Sequence, residues 1–131
     1  MAIFHSKENL SLGARGEKAA TNYLKKCGYK ILEINFYNKV GRRLGEIDII
    51  AKDKLELVFV EVKTRISSQT SQTLPEENIT REKLYKLNKA ASFYLNKNNL
   101  HDLTYRFDAI TLVAEKNSNS AKLKHIKNIF Y

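Results

Sequence analysis

The stretch GEIDIIAKDKLELVFVEVKTR, Gly45 to Arg65, holds the most apolar strand of the chain, and that strand carries charge. Its second half, Leu57 to Lys63, has the near-continuous apolar run of a strand that is buried on both faces. Glu61 and Lys63 nevertheless stand two residues apart within it. A buried ion costs free energy unless an opposite charge lies beside it. We therefore expect other charged groups to lie close to this strand.

The same stretch predicts a hairpin of two strands. Residues 46 to 52 form the first strand, residues 53 and 54 lie at the centre of the turn, and residues 55 to 63 form the second strand. Successive side chains on a strand point to opposite faces, so Glu46 and Asp48 share one face of the first strand.

The position of the turn sets the pairing between the two strands. A turn centred on residues 53 and 54 places Asp48 opposite Phe59 and Glu46 opposite Glu61. In this register the charged side chains of both strands project from one face of the hairpin, with like charges opposite one another, which is destabilising. A slip of one residue would separate the two sets, so the hypothesis that follows depends on the register.

Three carboxylates in one cluster, those of Glu46, Asp48 and Glu61, predict a cation between them. They cannot all stay ionised beside apolar strands unless something positive lies among them. Mg²⁺ or Mn²⁺ suits this position, because a hard cation takes carboxylate oxygens, carbonyl oxygens and waters. Lys63 at the rim would orient a water and stabilise charge on a phosphate oxygen. This combination is what phosphodiester hydrolysis requires.

A simpler interpretation is a surface cluster in which Glu61 and Lys63 form a salt bridge. Such pairs are common and contribute at most about 1 kcal/mol. A surface salt bridge does not explain why charge interrupts the most apolar strand, so the metal hypothesis is favoured.

The charge balance favours a polyanionic partner. The chain has 23 Lys and Arg against 14 Asp and Glu, a formal net charge of +9. Basic residues that neutralise phosphates release counterions, which makes nucleic acid the leading candidate. The alternative is that the lysines are scattered over the surface for solubility.

Other function classes lack the residues they need. The single cysteine, Cys27, forms no internal disulfide, and no Cys and His spacing resembles a zinc site. The histidines are scattered, with no serine-hydrolase nucleophile motif near them. No apolar run approaches the roughly 20 residues that span a bilayer, and the N-terminus lacks the apolar core of a signal peptide. We expect a cytoplasmic protein with no membrane partner.

The rest of the chain predicts one α/β domain, residues 1 to 131. The element order is helix, three strands, helix, two strands, with the first helix capped by Ser11 and the second by Thr80. Glu17 falls on the apolar stripe of the first helix, either aimed at the protein or supporting the first turn. Residues 1 to 10 and the polar residues 66 to 79 are expected to be flexible.

The order and spacing of these motifs resemble a known family. Asp48, then twelve residues, then Glu61-Val62-Lys63 resembles the PD-(D/E)XK nuclease signature, whose restriction-endonuclease-like fold is an αβββαβ core. More closely, the chain resembles the YraN family of uncharacterised bacterial proteins, which is similar to archaeal Holliday junction resolvases. The segments that carry this resemblance are residues 13–17 (GARGE), 45–48 (GEID), 60–65 (VEVKTR), 106–108 (RFD) and 125–128 (HIKN).

The resemblance implies specific roles for the site residues. Asp48 and Glu61 would be catalytic metal ligands, Lys63 the catalytic lysine, Val62 a carbonyl ligand, and Glu17 a further acid facing the metal. Glu46 matches a motif position and would support the site. The proline that precedes the first acid in the superfamily is replaced by Ile47, a departure that the superfamily tolerates.

The implied activity is that of a Mg²⁺- or Mn²⁺-dependent endonuclease acting on DNA, with branched DNA as the resolvase-like substrate and a homodimer as the resolvase-like assembly. The alternative is a nuclease-like module that binds nucleic acid or a protein without cutting. Five arginines near the motifs or loop ends are candidates for phosphate contact. They are Arg15, Arg42, Arg43, Arg65 and Arg81.

Overall fold

The computed structural model describes residues 2–3, 11–37, 45–67, 80–115 and 119–129. The described elements are β1 (Ala2–Ile3), α1 (Leu12–Lys26), β2 (Lys30–Tyr37), β3 (Glu46–Asp53), β4 (Glu56–Ile66), α2 (Arg81–Lys97), β5 (Tyr105–Ala114) and β6 (Ser120–Ile126).

One mixed sheet carries all the described strands, in the order β1-β6-β5-β4-β3-β2. Neighbouring strands are antiparallel except β4 and β5, which run parallel and are connected through α2. A parallel pair requires a crossover connection, and α2 lies within it. The α/β class and the predicted order from α1 onward are confirmed, and the short strand β1 is added in front of them.

The helix boundaries follow from their caps. Ser11 Oγ accepts a hydrogen bond from the Ala14 N–H at 3.2 Å, and Gly28 follows the helix end with a φ of +92°. Thr80 Oγ1 accepts from the Lys83 N–H at 3.2 Å in the same way. Both predicted caps are therefore present.

Each helix covers one face of the sheet. The α1 core is the set of buried residues on the α1 side, and the α2 core is the set on the other side. Because β4 lies between them, its residues alternate between the two cores. The α1 core contains Ala19, Ala20, Leu24, Tyr29, Ile49, Ala51, Val58, Val60, Ile110, Leu112, Ala114 and Ala121. The α2 core contains Phe36, Ile47, Ile50, Leu57, Phe59, Leu87, Ala90, Ala91, Tyr94, Leu95 and Phe107.

The β3–β4 register differs from the predicted one by two residues. Ile50 pairs with Phe59, so the predicted pairing of Asp48 with Phe59 is wrong. The reason is the turn, which consists of residues 54 and 55, with Lys54 at a φ of +58°. A slip of two residues preserves the alternation of faces along each strand, whereas a slip of one would have reversed it.

β2 does not alternate as simply as its sequence indicates. Its register against β3 shifts between Ile31 and Glu33, and Asn35 adopts a φ of +54°. As a result Ile34 is 46% exposed whereas Phe36 is buried, although regular alternation would have put both on one face. Asn is one of the few residues that tolerate this backbone conformation.

Several predictions fall largely outside the described residues. Of residues 1 to 10, only 2 and 3 are described, and they pair with β6. Of residues 66 to 79, Ile66 is the last residue of β4, Ser67 follows it, and 68–79 lie outside the described part. The predicted last strand, 123 to 130, is observed as Ser120–Ile126. No described helix is long and apolar enough to cross a membrane.

Candidate active site

The candidate site lies where β3 and β4 separate. Their described pairing ends at Ile49 and Val60, whereas β4 continues alongside β5 to Ile66. Beyond the last pair, the Val62 N–H donates a hydrogen bond to Asp48 Oδ2 at 2.8 Å. At this position the two strands no longer pair, and the Val62 N–H donates to the Asp48 carboxylate instead of to a β3 carbonyl. This bond holds the acid between the two strands.

Glu61 and Lys63 lie on the α2 side of β4. They alternate with Val62, which packs against the α1 core, and they follow Phe59 of the α2 core. Lys63 Nζ is 3.3 Å from Glu61 Oε1, and the exposed fractions of the two side chains are 23% and 14%. This ion pair is half-buried and differs from the exposed surface pair of the simpler interpretation.

Both acids at the separation point hold their protons more tightly than usual. Burial raises the pKa of Asp48 to about 6, although the Val62 N–H opposes the shift, and the charge of Glu17 adds to it. Burial raises the pKa of Glu61 to about 7, with a further rise from the charge of Asp48 and partial compensation by Lys63. The structure therefore brings Asp48 close enough to Glu61 for the charge of Asp48 to disfavour ionisation of Glu61.

Glu17 reaches the same place from α1. The helix approaches β4 so closely at Gly16 that a Cβ there would collide with the hydroxyl of Thr64. Asn35 lies beside Glu17, and with its amide nitrogen turned toward the acid it donates to both carboxylate oxygens at 3.2 Å. By register Asn35 also faces Asp48, since its neighbours pair with Ile47 and Ile49. Glu17 is thus aimed at the protein, the first of the two interpretations.

Lys83, from the first turn of α2, joins this centre. The sequence places it on a charged helix face that either touches phosphate or faces solvent, and does not assign it to the site. Its side chain lies against that of Lys63, and its charge is attracted by Glu61 and Asp48. Its contact with Lys63 lowers the pKa of Lys83. Burial alone would lower the pKa of Lys63, but the attraction of Glu61 and Asp48 raises it instead.

The remaining predicted residues lie on α1, α2, β3 and β4 or fall outside the described residues. Glu46 is exposed at the start of β3, directly after Gly45, where a Cβ would lie 2.7 Å from the Lys86 carbonyl oxygen. The other predicted residues are the arginines: Arg15 and Arg65 are half-buried in α1 and β4, Arg81 is exposed at the start of α2, and Arg42 and Arg43 lie outside the described residues.

The donor set fits a hard divalent cation through few protein ligands. Among the described residues, no group of three or more His, Cys, Asp or Glu side chains is close enough to hold a metal ion. Asp48 and Glu61 supply two carboxylates, and the Val62 carbonyl would be the third protein oxygen. Mg²⁺ commonly binds through one or two carboxylates and keeps several waters, so this set suits it.

The comparisons with known proteins agree on a family. The model of the uncharacterised protein family UPF0102 matches residues 16–112 of this chain. A UPF0102 protein of Clostridium botulinum strain Hall is 46% identical over 123 residues, covering 93% of this chain and 95% of the relative. One from Trichlorobacter lovleyi is 42% identical over 125 residues, covering 95% and 93%.

The chain belongs to the UPF0102 family. This is the YraN family that the motifs indicate, so that prediction is confirmed. The matched segment contains Glu17, Asp48, Glu61 and Lys63. The names of these relatives state the family and no activity, and membership in the nuclease superfamily stays a prediction.

A second acid cluster in this UPF0102 chain lies on β5. Asp108 is fully buried, and it accepts hydrogen bonds from Arg106 Nε at 3.1 Å and 3.2 Å and from the Asn128 N–H at 3.1 Å. His125 Nε2 is 2.8 Å from its other side, and Tyr23 Oη is 3.0 Å from His125 Nδ1. The sequence patterns single out residues 106–108 and 125–128 without assigning them a role, and the structure joins them in one network.

Proposed function

We propose that this protein is a metal-dependent nuclease that hydrolyses phosphodiester bonds, with branched DNA as its substrate class. The observation that carries the proposal is the meeting of Asp48, Glu61 and Lys63 where β3 and β4 separate, with Asp48 held by the Val62 N–H at 2.8 Å. Acids with raised pKa values beside a lysine are typical of functional sites.

Asp48, Glu61 and the Val62 carbonyl would hold Mg²⁺ or Mn²⁺, and Glu17 would face the ion from α1. When bound, the cation would stabilise negative charge on the phosphate and help a water to lose its proton. Binding requires both acids to be ionised, so at neutral pH it would displace any proton that the raised pKa values retain.

Lys63 positions the attacking water and stabilises charge on a nonbridging phosphate oxygen. The water oxygen forms a bond to phosphorus and gives up a proton, the bond from phosphorus to the 3′ oxygen breaks, and that oxygen takes up a proton. The products are a 3′ hydroxyl and a 5′ phosphate. The ion pair with Glu61 keeps the Lys63 ammonium within reach of this reaction.

The formal net charge of +9 supports a polyanionic substrate. Arg15, Arg65 and Arg81, together with Arg42 and Arg43, are proposed phosphate contacts. A four-way junction has two-fold symmetry, so we propose that two copies of the chain act on it as a homodimer.

The test is cleavage of four-way junction, flap, single-stranded and duplex DNA in Mn²⁺. Asp48→Asn keeps an oxygen that accepts from the Val62 N–H, and Lys63→Met keeps the length of the side chain without its charge. We expect each to lower the rate at least about 100-fold, as loss of a charge-stabilising group does. Glu33→Gln, an exposed acid of β2, is the matched control. Equal cleavage by all four proteins would contradict the proposed site.

A second candidate is a nuclease-like module that binds nucleic acid, or a protein partner, without cutting. One observation favours it, which is that no three metal-ligating side chains cluster among the described residues. Under this hypothesis the wild type binds DNA in a salt-dependent way, cuts none of the substrates, and binds no Mn²⁺ through Asp48 or Glu61.

A further inference from the structure

Lys83 occupies the end of the apolar stripe of α2. Leu87, Ala90 and Tyr94 follow it at the spacing of one helix face, and they are 3%, 0% and 6% exposed. A helical residue at this position projects toward the element that the stripe packs against. Lys83 itself is exposed, so its side chain lies at the solvent-accessible end of this face, where a ligand can reach it.

On the face of β4 that packs against α2, apolar side chains are likewise followed by charged ones. Phe59 contacts Tyr94 with ring centroids 6.0 Å apart, and Glu61 and Lys63 follow Phe59 on that face. At the other end of the helix Lys83 meets Lys63. Thus α2 runs along β4 so that its apolar half covers the apolar half of the strand, and its first turn reaches the acids.

Two ammonium groups in contact are unfavourable unless nearby anions compensate for them. Here the compensation comes from Glu61 and Asp48, which attract both lysines. The close approach of Gly45 to the Lys86 carbonyl holds α2 near the start of β3. Lys83 is therefore part of a cluster of charged side chains that lies where the first turn of α2 meets β3 and β4.

The charge of the site decides what Lys83 adds. The carboxylates of Glu17, Asp48 and Glu61 together with Lys63 would carry a total charge of minus two, which a divalent cation neutralises. Lys83 then leaves one positive charge in excess, and a phosphodiester carries one negative charge. Without Lys83, the loaded site would have no net attraction for its substrate.

We infer that Lys83 is a second substrate-binding cation, whose ammonium contacts the phosphate group that is cleaved, beside Lys63. This role rests on the proposed nuclease function. Lys83 is a catalytic residue in this account, because it touches the substrate and stabilises the negative charge that the phosphate gains during attack.

The test compares Lys83→Gln and Lys83→Arg with Lys97→Gln, an exposed lysine at the other end of α2. Cleavage of a fluorescein-labelled four-way junction is measured in Mn²⁺, DNA binding in Ca²⁺ over a range of KCl concentrations, and Mn²⁺ binding by calorimetry without DNA. Melting temperatures verify that each variant is folded.

We expect Lys83→Gln to cut about 10- to 100-fold more slowly and to lower the salt slope of DNA binding by about one. Its Mn²⁺ affinity should stay equal or rise, because a positive charge near the cation is removed. A purely structural role would not lower cleavage while leaving metal affinity intact. Lys83→Arg should recover most of the activity, and Lys97→Gln should match the wild type.

If the wild type cuts and Lys83→Gln matches Lys97→Gln in rate and salt slope, the inference is overturned and the proposed function stands. If the wild type cuts nothing, the proposed function is contradicted. The salt slope in Ca²⁺ then decides the role of Lys83 in phosphate binding: a difference of about one supports it, and equal slopes or no DNA binding overturn it.

Discussion

Buried acids lie in two clusters on the same sheet, and the pKa values in the two clusters are shifted in opposite directions. Asp108 is fully buried, yet its pKa is lowered. Asp48 and Glu61 are less buried, yet their pKa values are raised to about 6 and about 7. Burial acts to raise the pKa of all three acids, so the opposite direction at Asp108 comes from the donors around it.

Asp108 has a complete set of donors. Burial by itself would raise its pKa, but hydrogen bonds from His125 and Arg106 and from the Asn128 N–H outweigh burial. Arg106 in turn donates to Tyr29 Oη at 2.7 Å and to Glu56 Oε1 at 2.7 Å. Every charge in this network has its partner within the chain, as a structural network requires.

The cluster at Asp48 and Glu61 is incomplete by the same measure. Asp48 accepts a hydrogen bond from the Val62 N–H and Glu61 is paired with Lys63. The charge of Asp48 nevertheless still raises the pKa of Glu61. A bound cation would relieve this repulsion between negative charges, as the proposed function requires. At Asp48 and Glu61, hydrogen bonds and ion pairs do not fully offset the cost of burying the acids, whereas around Asp108 they do.

Asp108→Ala should give the largest loss of stability, about 3–5 kcal/mol in the free energy of unfolding, because it removes one partner from a buried ion pair. Urea denaturation of the metal-free protein measures it. Glu33→Gln, which changes an exposed acid on β2, should stay within about 0.5 kcal/mol of wild type. A loss below about 1 kcal/mol for Asp108→Ala would remove the contrast between the two clusters.

The two clusters should also respond oppositely to pH. Acids with raised pKa values bind more protons in the folded state, so their contribution to stability is full below about pH 4 and is lost as pH rises through about 6 and 7. We expect a loss of about 1–3 kcal/mol between pH 5 and pH 8 without metal. Asp108, with its lowered pKa, contributes stability that is lost only as the pH falls below about 4.

The control for this pH dependence is the double variant Asp48→Asn with Glu61→Gln, which has no acid to titrate at the site. Its stability should not fall between pH 5 and pH 8, and at pH 8 it should exceed that of the metal-free wild type. Thermal unfolding followed by circular dichroism measures both proteins. Parallel dependence of stability on pH in the two proteins would mean that hydrogen bonds and ion pairs offset the burial of Asp48 and Glu61 as fully as they do for Asp108.

Tyr23→Phe should have the smallest effect, about 1 kcal/mol, because it removes one hydrogen bond at the outer end of the Asp108 network. Urea denaturation measures the change, and Mn²⁺ binding should be unaffected. A change in Mn²⁺ affinity in this variant would mean that the two clusters act as one unit.

The sequence carried much of this architecture, because caps and apolar periods are local signals. Ser11 and Thr80 predict both helix starts, and the near-continuous apolar run of β4 predicts its burial on both faces. The β3–β4 register was missed by two residues because the turn centre depends on Lys54 adopting a positive φ, which no residue pattern indicates. Asp48 still meets Glu61, although β3 does not alternate regularly around Asp48: Ile47 packs in the α2 core and Ile49 in the α1 core.

Contacts between elements that are far apart in the sequence could not be predicted from residue patterns. Lys83 reaches Lys63 through the packing of α2 on β4, and His125 reaches Asp108 through the pairing of β5 with β6. Both residues lie in segments with clear periodicity, but the helical pattern set Lys83 beside the apolar stripe and did not indicate its contact with Lys63.

Whether Asp48 and Glu61 bind a metal ion is measured most directly by calorimetric titration of Mn²⁺ into wild type, Asp48→Asn and Glu61→Gln at pH 7.5, without nucleic acid. The predicted result is saturable binding to the wild type with release of protons, and at least about tenfold weaker binding to each variant, since each loses a carboxylate ligand. Equal Mn²⁺ binding by all three proteins, or no binding by the wild type, would contradict the assignment of Asp48 and Glu61 as metal ligands.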